Sequence, residues 1–399
     1  MDRRAVTGRP QVAHFAVAPE FVDRIMLLDL RRLRPHEDIT VIATEGEALE
    51  GARREGFRVL TVNARRKLSP LFDLRTVWEL WRIFRRERFD LLHTYTPKAG
   101  LLGQIAGALA RIPRRIHGCR GLLYSEGMSS RRRTLLRVTD RITSMLAHRT
   151  LYLSAADRDY SVSEGLCASA RAVLIGSGVE LHRFVRSDAT RRVGEAFRER
   201  LGFLPEHTVV LSVGRFVEDK GYREICAAAA RLRTDYPQLR YLWVAPVLVG
   251  EDDVLPASLI TDYGIDDLVR LTGYTNEILP ALAAADLLLH PSRREGVPRV
   301  VMEAAALGIP VLASDIPGCR EVVQDGESAL LFAAGDSNAL EAAMQRALRD
   351  PGATAARAVR AAADVRARFD QDALTRRVWS VHESVLGAEA GLMRSSVPA

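Results

Sequence analysis

Short apolar runs alternate along the whole chain with longer stretches in which apolar residues recur every third or fourth position. The short runs are rich in β-branched residues and predict strands, whereas the longer stretches have the helical period. In the first half the pattern predicts strands near Val12–Ala18, Ile39–Thr44, Arg58–Val62, Asp90–Thr94, Arg115–Gly118, Thr150–Ser154 and Ala172–Ile175. A polar, charged stretch from about Gly176 to Pro205 follows and marks a domain boundary. The alternation then restarts, with strands expected at Thr208–Val213, Leu242–Pro246, Val269–Thr272, Leu287–Pro291, Val311–Asp315 and Leu330–Phe332. Strand and helix in strict alternation predict an α/β protein of two Rossmann-like, doubly wound parallel-sheet domains facing a cleft. The strand carboxyl ends would line that cleft, because open α/β sheets bind ligands there. Two of the intervening helices stand out. Trp78, Trp81 and Phe84 share one face between Arg75 and Glu87, while Leu135, Val138, Ile142, Met145 and Leu146 share one beside Arg131–Arg133, Arg137 and Arg141. Both read as basic amphipathic helices, and the stripe predicts Trp78 and Trp81 in the core.

Composition narrows the class. The 399 residues are 47% hydrophobic and 27% charged, which supports folding throughout and excludes a small stapled module. The four cysteines, Cys119, Cys167, Cys226 and Cys319, lie far apart without C-x-x-C spacing, so neither a disulfide framework nor a cysteine-rich zinc site is expected, and a reducing cytosol fits. The longest apolar stretches, Leu101–Ala110 and Tyr241–Val249, are shorter than the roughly 20 residues that span a bilayer, and no secretory signal is legible at the amino terminus. The net charge of +7 conceals an asymmetry: residues 1–200 hold 37 Lys+Arg against 23 Asp+Glu, and residues 201–399 hold 20 against 27. A half at +14 beside one at −7 implies that the first half meets something anionic, such as a membrane surface or a phosphorylated acceptor. A nucleic-acid module is disfavoured, because stacking aromatics and RNP-type strings are missing.

Two segments carry chemistry. Gly214-Arg215-Phe216-Val217-Glu218-Asp219-Lys220-Gly221 follows a buried-looking strand and precedes a helix of small residues. Glycine permits close backbone approach, and an arginine and a lysine at this spacing can clamp a pyrophosphate. It matches neither the Walker loop nor the dinucleotide fingerprint, and a solvated turn is the plain alternative. The second segment, from Ser292 to Pro310, predicts a helix from about Pro298 to Leu307 with Gly308 at its end. Its amino terminus would offer N–H groups to a phosphate. Glu295 precedes this helix and Glu303 lies within it, among Val300, Val301, Met302, Ala304 and Ala305, where a carboxylate needs a partner. One acid can bind hydroxyls at the reacting end of a ligand, and the other a ribose further back.

The string from Arg293 to Val323 (REGVPRVVMEAAALGIPVLASDIPGCREVV), with Glu295 and Glu303 separated by seven residues, resembles the donor-site signature of family 4 retaining glycosyltransferases of the GT-B fold. Gly214–Gly221 resembles the segment in which that family holds the donor diphosphate, and Gly176–Phe184 resembles its interdomain linker. His93–Gly100 and Arg120–Tyr124 are similar to segments of bacterial capsular and lipid-linked polysaccharide glycosyltransferases. The resemblance implies an acceptor-binding domain over 1–185, a nucleotide-sugar donor domain over 200–370, and a segment over 371–399 that crosses back to the first domain. For the donor it implies Gly214, Arg215, Lys220, Gly273, Tyr274, Glu295, Gly296, Val297, Pro298, Arg299, Val300 and Glu303. For catalysis it implies Glu295, Arg215 and Lys220 with His117 and Arg120, two alternatives for the residue that faces the donor sugar; for the acceptor it implies His93, Thr94, Thr96, Lys98 and Tyr124. Where many members carry a glycine-rich loop after the first strand, this chain has Val17-Ala18-Pro19-Glu20-Phe21.

The function implied is transfer of a sugar, with retention, from a nucleotide-sugar such as a UDP-sugar to a lipid-linked saccharide in cell-surface polysaccharide synthesis. No metal and no cofactor are expected, the nucleotide-sugar being a co-substrate. The expected location is cytoplasmic, with the basic half meeting the inner face of the membrane. Alternatives are transfer to a soluble small molecule or natural product, and a sugar-nucleotide epimerase.

Overall fold

The computed structural model describes residues 8–65, 69–122, 128–246, 253–275 and 277–387. The chain divides into two units, Met1–Ser177 with Gln371–Ala399, and Gly178–Asp370. The first holds a sheet of seven strands: β1 (Gln11–Phe15), β2 (Asp38–Ala43), β3 (Arg58–Thr61), β4 (Leu91–Tyr95), β5 (Arg114–Cys119), β6 (Arg149–Tyr152) and β7 (Ala172–Leu174). Their order is β3-β2-β1-β4-β5-β6-β7, and every pairing is parallel. The second unit holds β8 (Thr208–Val213), β9 (Leu239–Val244), β10 (Val269–Leu271), β11 (Leu287–His290), β12 (Val311–Ser314) and β13 (Leu330–Phe332), parallel in the order β10-β9-β8-β11-β12-β13. The expected α/β architecture of two doubly wound sheets is therefore present, and each apolar run coincides with a strand. The largest offsets, of three residues, are at β9, which starts at Leu239 rather than Leu242, and at β1, which ends at Phe15 rather than Ala18.

Seven helices matter below: α1 (Leu27–Leu33), α2 (Pro70–Glu87), α3 (Pro97–Leu109), α4 (Ser130–Leu146), α5 (Tyr222–Leu232), α6 (Arg299–Ala306) and α7 (Gln371–Gly387). From β3 onward the first sheet grows steadily in one direction, so right-handed crossovers put α2, α3 and α4 side by side on one face. The step from β1 to β2 runs the other way and puts α1 on the opposite face, where α7 packs against it. Small residues let α3 lie close on the sheet. A Cβ at Gly100 would stand 2.5 Å from the His117 ring, and one at Gly103 would stand 2.6 Å from the Thr94 methyl.

The expectation for the tryptophan helix needs correcting. The core face of α2 is Thr76, Leu80 and Phe84, whereas Trp78 is 51% and Trp81 36% exposed. Trp78 lies two positions from both Thr76 and Leu80, and Trp81 one from Leu80, so neither falls on the buried i, i+4, i+8 stripe; an apolar stripe read from spacing alone does not reveal which side the sheet takes. On α4 the buried residues are Thr143 and Ser144, and the apolar stripe is turned outward.

On the other face a buried polar network ties α7 into the first unit. His14 Nε2 lies 2.7 Å from Glu37 Oε1, Glu37 Oε2 lies 3.0 Å from His382 Nδ1, and His382 Nε2 lies 3.0 Å from His93 Nδ1. The Tyr95 hydroxyl is 3.0 Å from His14 Nδ1 and 3.2 Å from His93 Nδ1. Burial alone would raise the pKa of Glu37, but the facing rings of His382 and His14 outweigh it and hold the carboxyl at about 2.

Candidate active site

In the second unit the strand order reverses between β8 and β11, since β9 and β10 extend one edge and β12 and β13 the other. The loops leaving the carboxyl ends of β8 and β11 flank this switch point, which is where such sheets bind ligands. Gly214 begins the first loop and Ser292–Glu295 form the second.

The first loop is anchored from below. Phe216 is buried against Tyr222 and Trp243, with ring centroids 5.1 and 6.2 Å away, and the Tyr222 hydroxyl donates to the Gly214 carbonyl at 2.9 Å. At the end of the loop Gly221 adopts φ +73°, and a Cβ there would stand 2.3 Å from the Pro291 carbonyl oxygen. The two loops are thus pressed together by a residue that must be glycine. The contact brings Lys220 Nζ within 2.5 Å of Glu295 Oε1 and within 3.3 Å of Ser292 Oγ. The second loop is fixed in turn: Arg294 pairs with Asp219 at 3.0 Å, Arg293 with Glu224, and the Arg293 amide donates to the Asp219 carbonyl at 2.8 Å. A Cβ on Gly318 would meet the Gly296 carbonyl oxygen at 2.3 Å, so the following segment holds Glu295 and Gly296 from the far side.

Glu295 is half-buried, and burial would raise its pKa; the ammonium of Lys220 and the ring of His290, whose Nε2 is 3.3 Å from Oε1, instead hold it well below the usual carboxylate range. It is an acceptor at working pH. Arg215 is half-buried in the same loop as Lys220. Val297, Pro298 and Val300 are buried and seat the start of α6, whose first residue is Arg299 with Pro298 at the capping position; no side chain caps this end. Glu303 is 8% exposed, and its expected partner is Arg299, one turn back at 3.5 Å. Burial raises its pKa against the opposing pull of Arg299 and Arg183. Gly273, at φ +64°, and the exposed Tyr274 follow β10, two strands from the switch point.

In the first unit Thr96 and Arg120 follow the carboxyl ends of the adjacent strands β4 and β5. The Arg120 guanidinium is 3.1 Å from Asp29 and lies over the rings of Phe21 and Tyr95. Lys98, on the first turn of α3, pairs with Asp73 at 2.7 Å. Thr96 holds φ +68°, a strained value for a β-branched residue, at the start of α3. His93 and Thr94, expected near the acceptor, are both buried within β4, His93 in the network to His382 and Thr94 beside Gln104 and 3.1 Å from His117 Nδ1. Successive side chains of a strand point to opposite faces of the sheet, so His93 and Thr94 serve different layers. His117 is buried likewise, and burial pushes its pKa down to about 4, leaving a neutral ring. Tyr124 lies outside the described residues. Sequence reasoning missed His290, Ser292 as a partner of Lys220, and Arg183 beside Glu303. A histidine closing the all-leucine run Leu287–Leu289 was the available signal for the first.

Two doubly wound parallel sheets of this kind are the architecture of the GT-B fold. Residues 27–178 match the model of the glycosyl transferase 4-like domain and residues 194–365 that of glycosyl transferases group 1, and the chain belongs to the glycosyltransferases these models describe. It is 25% identical over 357 residues, 87% of this chain and 90% of the other, to the UDP-Gal:alpha-D-GlcNAc-diphosphoundecaprenol alpha-1,3-galactosyltransferase of Escherichia coli. It is 22% identical to the N,N'-diacetylbacillosaminyl-diphospho-undecaprenol alpha-1,3-N-acetylgalactosaminyltransferase of Campylobacter jejuni, covering 88% of this chain and 92% of that one. Among solved structures, HepE of Anabaena in complex with UDP and glucose superposes with a TM-score of 0.80 at 23% identity over 94% of this chain and all of that one.

Proposed function

We propose that the chain transfers a sugar, with retention of anomeric configuration and without a metal ion, from a UDP-sugar to a lipid-linked saccharide during assembly of a cell-surface polysaccharide. The observation that carries the reading is the contact of Lys220 with Glu295 across the switch point of the second sheet, with Arg215 in the same loop. In this reading Arg215 and Lys220 neutralise the diphosphate as it leaves, which is stabilisation aimed at charge that develops in the transition state. Glu295, kept ionised, accepts hydrogen bonds from the hydroxyls of the donor sugar, and Glu303 accepts them from the ribose. The bond between the anomeric carbon and the phosphate oxygen breaks, the acceptor oxygen bonds to that carbon on the same face, and the acceptor proton passes to the departing diphosphate. Arg120 serves the donor sugar or acceptor better than His117 does, because it sits beyond the strand end while the histidine is enclosed. The lipid-linked acceptor is supported by the printed activities of the Escherichia coli and Campylobacter relatives. Such an acceptor requires the enzyme to meet a membrane surface. Among the described residues no helix is long and apolar enough to cross one.

The test is thermal stabilisation by UDP, GDP, ADP and dTDP and their sugars, with and without EDTA, in the parent, Lys220→Ala and Glu303→Ala. Stabilisation by the UDP series alone, indifferent to EDTA and lost in both variants, is expected. A different nucleotide preference would change the donor, and no stabilisation by any would remove the donor site.

A further inference from the structure

The helical layer α2–α3–α4 covers one face of the first sheet and should, as the outer layer of a soluble domain, show water a polar surface. It does not. On α2, Leu71, Leu74 and Trp78 are 85%, 67% and 51% exposed. On α4, Leu135, Val138, Ile142 and Met145 are 49%, 48%, 37% and 63% exposed. Each set repeats at i, i+3 and i+7, so each forms a stripe along the outward side of its helix. Between them α3 turns out Leu101, Ile105 and Ala108, half-buried at i, i+4 and i+7, and carries no charged residue beyond Lys98. With neighbouring axes about 8–10 Å apart and a rise of about 1.5 Å per residue, the apolar stripes run about 11 Å along α2 and about 15 Å along α4, across a width of roughly 20 Å. Exposed apolar surface of this extent on one face marks an interaction site.

The charges around it choose the occupant. α2 and α4 together carry nine arginines against four acids, and Arg82, Arg85, Arg131, Arg132, Arg133 and Arg141 are all exposed. A second copy docking through this same face would set arginine against arginine, which like-charge repulsion opposes. A bilayer with anionic headgroups satisfies both features: acyl-chain boundary for the apolar stripe, headgroup phosphates for the arginines. We propose that the outward surface of α2, α3 and α4 is the face by which this protein lies on an anionic membrane. Each of these helices runs back from the carboxyl end of a strand, so their amino termini, with Leu71, Leu74, Leu135 and Arg131–Arg133, share the sheet edge that bears Thr96 and Arg120. Membrane contact at that edge would bring a lipid-linked acceptor close to Arg120. The meaning of the surface rests on the proposed function; its existence does not.

The test is sedimentation of the full chain with vesicles of phosphatidylcholine alone or with about one third phosphatidylglycerol, at low and high salt. Binding to the anionic vesicles, at least tenfold above neutral ones and reversed by salt, is expected. Replacing Arg131, Arg132 and Arg133 by Ser should lower partitioning about 100-fold, near fivefold for each charge, and Leu74→Ser with Ile142→Ser should lower it at least tenfold. Brominated acyl chains should quench the native fluorescence through Trp78, and Trp78→Phe should remove part of that quenching; this arm needs no disruptive variant. Equal binding to both vesicle types, unchanged partitioning of both sets of variants, or a dimer that the Ser variants dissociate would each overturn the proposal. Stabilisation by UDP, unaltered in these variants, separates failure of this surface from failure of the glycosyltransferase reading.

Discussion

Lys220→Met tests the reasoning about the donor site most directly, because Lys220 has two tasks that can be separated. Its ammonium lies 2.5 Å from Glu295 Oε1, and the side chains are only 15% and 21% exposed, so the pair sits largely out of water. A hydrogen bond to a charged group in such a place is worth about 1.5–3 kcal/mol. If the lysine also meets the leaving diphosphate, its loss should weaken UDP binding about 10- to 150-fold. Part of that loss arises because Glu295, stripped of its main compensating charge, repels the incoming phosphates. The double variant Lys220→Met, Glu295→Gln should therefore bind UDP more tightly than Lys220→Met alone, although Glu295→Gln by itself should cost binding of the UDP-sugar and turnover. Calorimetric titration of all four proteins with UDP at pH 7.5 gives the coupling energy, expected at 1–3 kcal/mol on the scale of interacting neighbours. A UDP affinity within twofold of the parent in Lys220→Met, or single effects that add within about 0.5 kcal/mol, would refute both the clamp and its coupling to Glu295.

Three further outcomes follow from the same geometry. Glu303 is an acid whose folded pKa is raised by burial, so its ionised form weighs against folding at neutral pH; Glu303→Gln should leave or slightly raise the melting temperature at pH 7 while weakening UDP about tenfold, and a fall in melting temperature would show the carboxylate to be structural. Gly221→Ala must place a β-carbon in the left-handed region and against the Pro291 carbonyl, so urea unfolding should show a loss of at least about 2 kcal/mol, with UDP-dependent stabilisation lost as well because both loops shift. Glu37 has a folded pKa of about 2 against an ordinary 4.5, a depressed acid whose contribution of about 3 kcal/mol is present above pH 4.5 and lost as pH falls towards 2. Glu37→Gln should remove that contribution at pH 7 and flatten the acid limb of a stability–pH curve; an unchanged limb would mean that the His14–Glu37–His382 network carries little stability.

The strands were legible because a parallel strand buried on both faces must be apolar along its whole length, and such runs are short, unmistakable and bounded by polar turns. Gly214–Gly221 and Arg293–Pro310 were legible for another reason. A loop that must approach a phosphate needs glycine and fixed cations at set spacings, and these constraints are local in sequence. The acid at Glu303 announced its need for a partner through its apolar neighbours, and Arg299 stands one helical turn away.

What sequence could not decide is which of two apolar stripes a helix buries, and which polar residues meet across distant elements. Trp78 and Leu80 are equally apolar and two positions apart; only the placement of the sheet buries Leu80 completely and leaves half of Trp78 in solvent. The motif around His93 gives no sign that its ring closes a network with His382 from the carboxyl-terminal helix, 289 positions away. Lys220 and Glu295 lie 75 positions apart, and they meet because β8 and β11 are neighbours at the point where the sheet order reverses. Local chemistry fixes the elements and the motifs, because propensity and backbone approach act over a few residues. The site, the buried network and the exposed apolar face arise from packing between elements, which no single stretch of sequence contains.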